Sequence, residues 1–152
     1  MTRKLVLLGF LPFVLLLSAC SYSYDFVVVN RSPGVVKVQY TMKSSGPQSG
    51  TLFLFGPPAK VSLREFEKAE FEWQTLPEEQ YRTDDFTEGF IVNLGPDEVL
   101  RVDSISNYSG NEDEFAIASI KLRGVNGSID LEGKQAQMQF KGSDTKYVLT
   151  YR

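Results

Sequence analysis

From residue 24 onward the chain alternates apolar and polar positions over short runs, the periodicity of strands with one buried face. Over 24–30, Tyr24, Phe26 and Val28 share a face, and over 36–42, Val36, Val38, Tyr40 and Met42 do the same. Arg31-Ser32-Pro33-Gly34 lies between them with turn chemistry, so the two runs read as a β-hairpin. A polar Gly/Ser/Pro loop over 43–50 leads to a short strand over 51–55, closed by Gly56-Pro57-Pro58. Further strands are expected at 90–94, 99–105, 115–122, 129–131, 135–141 and 147–151. In the run 135–141, Ala136, Met138 and Phe140 share a face. Turn signals separate these runs at Gly95-Pro96-Asp97-Glu98, 109–114, Val125-Asn126-Gly127 and Glu132-Gly133-Lys134.

Residues 61–88 break the alternation. Leu63, Phe66, Ala69, Trp73 and Leu76 follow helical spacing, and Ser62 with Glu65 three residues on reads as a capping box. Glu70-Phe71-Glu72-Trp73 alternates like a strand. The expectation is a short helix within 62–76, or an irregular excursion, ended by Pro77. About eight or nine short strands with a turn every 8–12 residues predict an all-β chain, an antiparallel β-sandwich of immunoglobulin-like or jelly-roll-like kind. A lipocalin-like β-barrel is the alternative.

The first 20 residues carry a different signal. Arg3 and Lys4 precede thirteen residues, 5–17, without a charge. That run is too short for a spanning helix, which needs about 20 residues, and it fits the apolar region of a secretory signal peptide. Pro12 interrupts it, and the small Ser18 and Ala19 follow. Leu17-Ser18-Ala19-Cys20 resembles the lipobox of bacterial lipoproteins at all four positions. The resemblance covers residues 1–20. It implies a diacylglycerol on the Cys20 thiol and cleavage between Ala19 and Cys20. On that reading 1–19 is a cleaved signal peptide, 20–23 a lipidated cysteine with a short tether, and 24–152 a single β-sandwich domain. In Gram-negative lipoproteins of this class an aspartate after the cysteine marks inner-membrane retention, and here that residue is Ser21, which implies the outer membrane. The tether directs the first strand away from the membrane. The turn at Pro33 and Gly34 is then distal, and the loop 43–50 returns to the membrane side.

Composition narrows the chemistry. The first 20 residues hold two of the 16 basic and none of the 19 acidic residues, so the remainder carries a net charge of −5. That balance argues against nucleic acid as a partner, and against charge-driven binding to anionic lipid. Cys20 is the only cysteine and there is no histidine. Disulfides within the domain, a Ser-His-Asp triad, a Cys-His pair and an HExxH zinc site are therefore excluded.

The excursion 61–88 holds nine acids and three bases, a net charge of −6 against +1 for the rest of the mature chain. Glu65, Glu67, Glu70, Glu72, Glu78 and Glu79 are its candidate surface for a basic envelope protein, and a solvated face is the plainer reading. Asn111-Glu112-Asp113-Glu114 offers oxygens for calcium but lacks the spaced pattern and central glycine of a calcium loop; a charged turn explains it as well. Trp73, Tyr81, Phe86 and Phe90 could line a sugar-binding groove or simply pack the core. Asn30, Asn107 and Asn126 each begin a glycosylation-type triplet, and turn propensity alone accounts for all three.

The expected function is that of a membrane-anchored module at the cell envelope, binding or scaffolding without catalysis, and needing no metal or cofactor. A carboxylate-dependent glycan hydrolase is one alternative, requiring two carboxyl groups about 5–10 Å apart in an open cleft. A carrier of an apolar ligand is another, requiring an empty apolar barrel.

Overall fold

The computed structural model describes residues 22–43, 56–84 and 89–152. The expected strand at 51–55 and all but the first residue of the loop 43–50 lie outside the described residues. Two sheets form a β-sandwich that is not closed into a barrel. The strands are β1 (Ser23–Asn30), β2 (Val36–Met42), β3 (Ala59–Ser62), β4 (Gln74–Thr75), β5 (Tyr81–Asp84), β6 (Gly89–Leu94), β7 (Glu98–Ser106), β8 (Ile117–Gly124), β9 (Gly127–Glu132), β10 (Lys141–Ser143) and β11 (Lys146–Tyr151). The first sheet has the order β10-β11-β1-β7-β3-β4 and the second β5-β6-β2-β8-β9. The pairings are antiparallel, as expected, except β1 with β11, which run parallel.

The expected hairpin between β1 and β2 is absent. β1 pairs with β11 and β7, whereas β2 pairs with β6 and β8 in the other sheet. Residues 31–35 therefore arch from one sheet to the other, and the two alternating faces meet across the core instead of lying side by side. The connection between β6 and β7 crosses in the same way. Asn30, fully buried, holds both crossings. Its Nδ2 donates to the carbonyls of Gly34, Leu94 and Gly95 at 2.8, 3.0 and 3.0 Å. Its Oδ1 accepts from the Ser32 backbone N–H and hydroxyl at 2.9 and 2.7 Å.

β2 keeps one wet face, so Val36, Val38, Tyr40 and Met42 are buried while Lys37 is exposed. β1 instead buries Val27, Val28 and Val29 in succession, because the outer face of its sheet is also covered. Val27, Val29, Val61 and Val99 pack there beneath Leu63 and Phe66, with Phe71 and Trp73 at the margin. The helix α1 is only Leu63–Phe66; Ser62 caps it by accepting from the Glu65 N–H at 3.2 Å. The helical stripe ends there. Ala69 is exposed, and Trp73 returns through irregular chain rather than a further helical turn.

Between the sheets, Phe26 is ringed by Tyr147, Phe115, Tyr108 and Phe140, with ring centroids 4.9, 5.0, 5.2 and 5.5 Å away. Truncating a ring so enclosed costs about 3–5 kcal/mol. Phe140 reaches this cluster from a helix. Residues expected as a strand over 135–141 form α2 (Gly133–Gln139). Gly133 takes φ 48° at its start, a left-handed conformation that glycine adopts without steric cost. Ala136 and Phe140, four apart, are buried, while Met138 is exposed, the period of a helix rather than of a strand.

Candidate functional site

β7 contains a bulge. Phe26 opposes Asp103 while Val27 opposes Arg101, so Val102 is the extra residue. A bulge re-aims the side chains around it. Here Leu100 and Val102 both join the inter-sheet core, and Asp103, opposite the inward Phe26, is buried as well. Its Oδ1 accepts from the Ser104 N–H at 2.8 Å and its Oδ2 from the Ala116 N–H at 3.2 Å. Burial pushes this carboxyl above its ordinary range, against those two hydrogen bonds. Tyr40 faces it from β2. Burial, and then the charge of Asp103, raise the Tyr40 phenol above its usual value.

These two groups share a cleft of about 120 Å³ with Met42, Gly56, Pro57, Pro58, Phe90, Arg101, Val102 and Ser104. Arg101 is at its rim, its guanidinium carbon 5.2 Å from the centre of the Trp73 ring. The Ser104 hydroxyl hydrogen-bonds that of Ser23 at 2.7 Å. The cleft can accept hydrogen bonds from, and hold charge against, a small polar group. Sequence reasoning did not single out Asp103. The only signal was a charged residue inside the apolar run of β7, and the bulge that turns it inward depends on the register with β1.

A second cleft, about 360 Å³, opens on the outer face of the other sheet, lined by Lys37, Glu79, Gln80, Tyr81, Arg82, Ile91 and Asn93. Strand register sets Lys37 beside Arg123, and Lys121 beside Asp130. Arg123 pairs with Asp130 at 2.8 Å, and that hydrogen bond holds the Asp130 carboxyl below its ordinary range. This face is polar and carries cations; among the described acids of the excursion, Glu79 lines its cleft, whereas Glu65 and Glu67 sit on or just after α1, which packs outside the first sheet. Each of the two clefts has a single carboxylate among its described lining residues.

The acids expected as a partner surface are half-buried or exposed. Glu65 pairs with Lys68 at 2.7 Å and Glu67 with Arg31 at 3.1 Å. Glu70, Glu72, Glu78 and Glu79 are exposed. The expected aromatic set is not brought together. Trp73 packs with Phe66 and Phe71 outside the first sheet, its Nε1 donating to Asp25 Oδ2 at 3.1 Å. Tyr81 and Phe90 pack edge to face in the second sheet, centroids 5.7 Å apart, and Phe86 lies outside the described residues. Near Asn111, the Glu114 carboxylate accepts from the Ser109 hydroxyl and N–H, both at 2.7 Å, which lowers its pKa. Asn111 Oδ1 accepts from the Asp113 N–H at 3.2 Å. The loop spends these oxygens on its own turn.

Comparison with protein-family models, with curated proteins and with solved structures found no match.

Proposed function

We propose that this chain is an exported bacterial lipoprotein, anchored through Cys20, whose β-sandwich is a non-catalytic binding or scaffolding module at the cell envelope. In a Gram-negative host its membrane is the outer one. The observation that carries this reading is how soon the fold begins after the cysteine. The Tyr22 carbonyl already accepts from the Asn107 N–H at 2.8 Å, and its own N–H donates to Asn107 Oδ1 at 3.3 Å. Tyr22 and Ser23 thus belong to the fold rather than to the tether. Two residues of extended chain span at most about 7 Å, so a lipid on Cys20 holds the domain against the bilayer. Stable anchoring takes two or more acyl chains, at about 0.8 kcal/mol per buried CH₂.

β1 then rises from the membrane over about 26 Å to the two arches joined by Asn30. The distal end exposes Val35 and Val125, and Val125 lies against Gly34. The acids Glu65, Glu67, Glu70, Glu72, Glu78 and Glu79 offer a basic protein a surface along the flank. Binding there weakens as added salt shortens the Debye length, about 8 Å at physiological ionic strength.

In-cell crosslinking followed by mass spectrometry tests the reading, with Cys20→Ala as the unanchored control. A discrete envelope protein captured by the anchored chain and lost in the control is expected. Equal fractionation of both forms into the soluble periplasm or medium would overturn the anchor. Turnover of an envelope glycan abolished by one carboxylate substitution would overturn the non-catalytic role.

A further inference from the structure

Tyr40 is 3% exposed, yet among the described residues its hydroxyl has no hydrogen-bond partner, and no hydrogen bond contributes to its raised pKa. Buried tyrosine hydroxyls nearly always find a partner. This one lines a cleft shared with Asp103, a carboxylate that is itself buried. Each Asp103 oxygen accepts one backbone N–H, which leaves lone pairs unused on both. No Lys or Arg among the described residues forms an ion pair with it. Among the described lining residues the one cation is Arg101, whose guanidinium lies over Trp73, and the Ser104 hydroxyl is hydrogen-bonded to that of Ser23.

The cleft therefore offers surplus acceptors, one negative charge and a hydroxyl oxygen, beside the apolar surfaces of Phe90 and Met42. Its complement is small, cationic and rich in donors. A primary ammonium has three N–H donors on a compact charge, and the cleft's roughly 120 Å³ accommodates such a head group. Neutral hydroxyls lack the charge, and quaternary ammonium lacks the N–H donors.

We propose that the inter-sheet cleft binds a primary ammonium group, its N–H donors shared between the Asp103 carboxylate and the Tyr40 hydroxyl oxygen. The proposal deepens the binding half of the function proposed above and is independent of the anchor. A missing envelope partner leaves it standing, and a failed amine titration leaves the anchored scaffold standing.

Calorimetric titration of the full chain in detergent micelles tests it. Methylamine and ethanolamine supply the free amine, and Nα-acetyl-lysine amide supplies the same group as a polypeptide would carry it. Ethylene glycol and tetramethylammonium are the controls. Saturable binding of either kind of primary amine supports the proposal, and the better of the two indicates the source. The controls are expected to bind at least about tenfold more weakly. Asp103→Asn is expected to reduce amine affinity about tenfold or more, and Tyr40→Phe, which keeps the ring in place, about three- to tenfold. Should Asp103→Asn fail to fold, Tyr40→Phe decides alone. Equal affinity for ethylene glycol, unchanged binding in Tyr40→Phe, or no saturable amine binding up to about 10 mM would each overturn it.

Discussion

Asn30 and Leu94 lie 64 positions apart in the chain, and the Asn30 side-chain amide donates to the Leu94 carbonyl at 3.0 Å in a buried setting. The bond joins the end of β1 in one sheet to the end of β6 in the other. Asn30 also binds Gly34, Gly95 and Ser32, and its backbone carbonyl accepts from the Asp97 N–H at 2.9 Å. One side chain thus clamps the two arches by which the chain changes sheets.

Replacing it by alanine strips the donor from three carbonyls and the acceptor from Ser32. Each unsatisfied buried group costs about 1–3 kcal/mol. With partial access of water to the arches, Asn30→Ala is expected to lower stability by about 3 kcal/mol. Asn30→Asp removes the donors and brings a carboxylate towards three carbonyls, so it should cost more. Urea denaturation followed by circular dichroism measures both; a loss within 0.5 kcal/mol, the scatter of surface substitutions, would refute the clamp.

The pH dependence of Asp103 has a definite sign. Its folded pKa lies above the unfolded value because burial disfavours the charge. The stability that protonated Asp103 contributes is therefore fully present below the unfolded pKa and is lost as pH rises through the folded one. In paired denaturations of the wild type and Asp103→Asn, the wild type should lose ground to the variant as pH is raised from about 3.9, the ordinary value of an aspartate. Other carboxylates titrate in both proteins and cancel. Glu114 and Asp130, with lowered pKa values, behave oppositely, their contribution being lost as pH falls.

At the other end of the chain, Tyr151 crosses from the first sheet to the β8–β9 hairpin of the second. Its hydroxyl donates to the Gly127 carbonyl at 2.8 Å. A Cβ on Gly124 would meet the Tyr151 hydroxyl at 2.7 Å and the ring at 2.9 Å. Gly124→Ala should therefore cost about 2 kcal/mol by overpacking, and Tyr151→Phe about 1 kcal/mol through the lost hydrogen bond. In the double variant the two costs should fall short of additivity, since both act on one contact. Thermal denaturation of the four proteins checks the cycle.

The segment 133–139 offers a test of its own periodicity. Ala136 is fully buried in α2, and Met138 is 59% exposed. Ala136→Leu should destabilise by about 1–3 kcal/mol, while Met138→Lys should stay within about 0.5 kcal/mol. On a strand the two positions would share a face and respond alike.

That segment illustrates what was legible in the sequence. Gln135, Gln137 and Gln139 alternate with Ala136, Met138 and Phe140, and alternation alone reads as a strand. Only the pocket between the sheets, which takes Ala136 and Phe140 and has no place for Met138, selects the helix. At Ser62 the local signal sufficed, because a cap is a bond between residues three apart and needs nothing else from the fold.

The sequence by itself determined the strand positions of β1, β2, β6, β7, β8 and β11 and the turn residues between them, and it alone carries the lipobox-like pattern on which the proposed anchor rests. The strands and turns depend on the period of side chains along a strand and on backbone preferences of single residues, which are local properties. Tertiary structure decided which strands pair. The turn chemistry of Arg31-Ser32-Pro33-Gly34 serves a hairpin or an arch equally well, and the arch follows from hydrogen bonds that Asn30 makes to residues far along the chain. The bulge that buries Asp103 opposite Tyr40 arises likewise from the register of β7 on β1. A one-residue slip in that register exchanges the inner and outer faces of a strand, so the chemistry of the cleft exists only once the sheets are assembled.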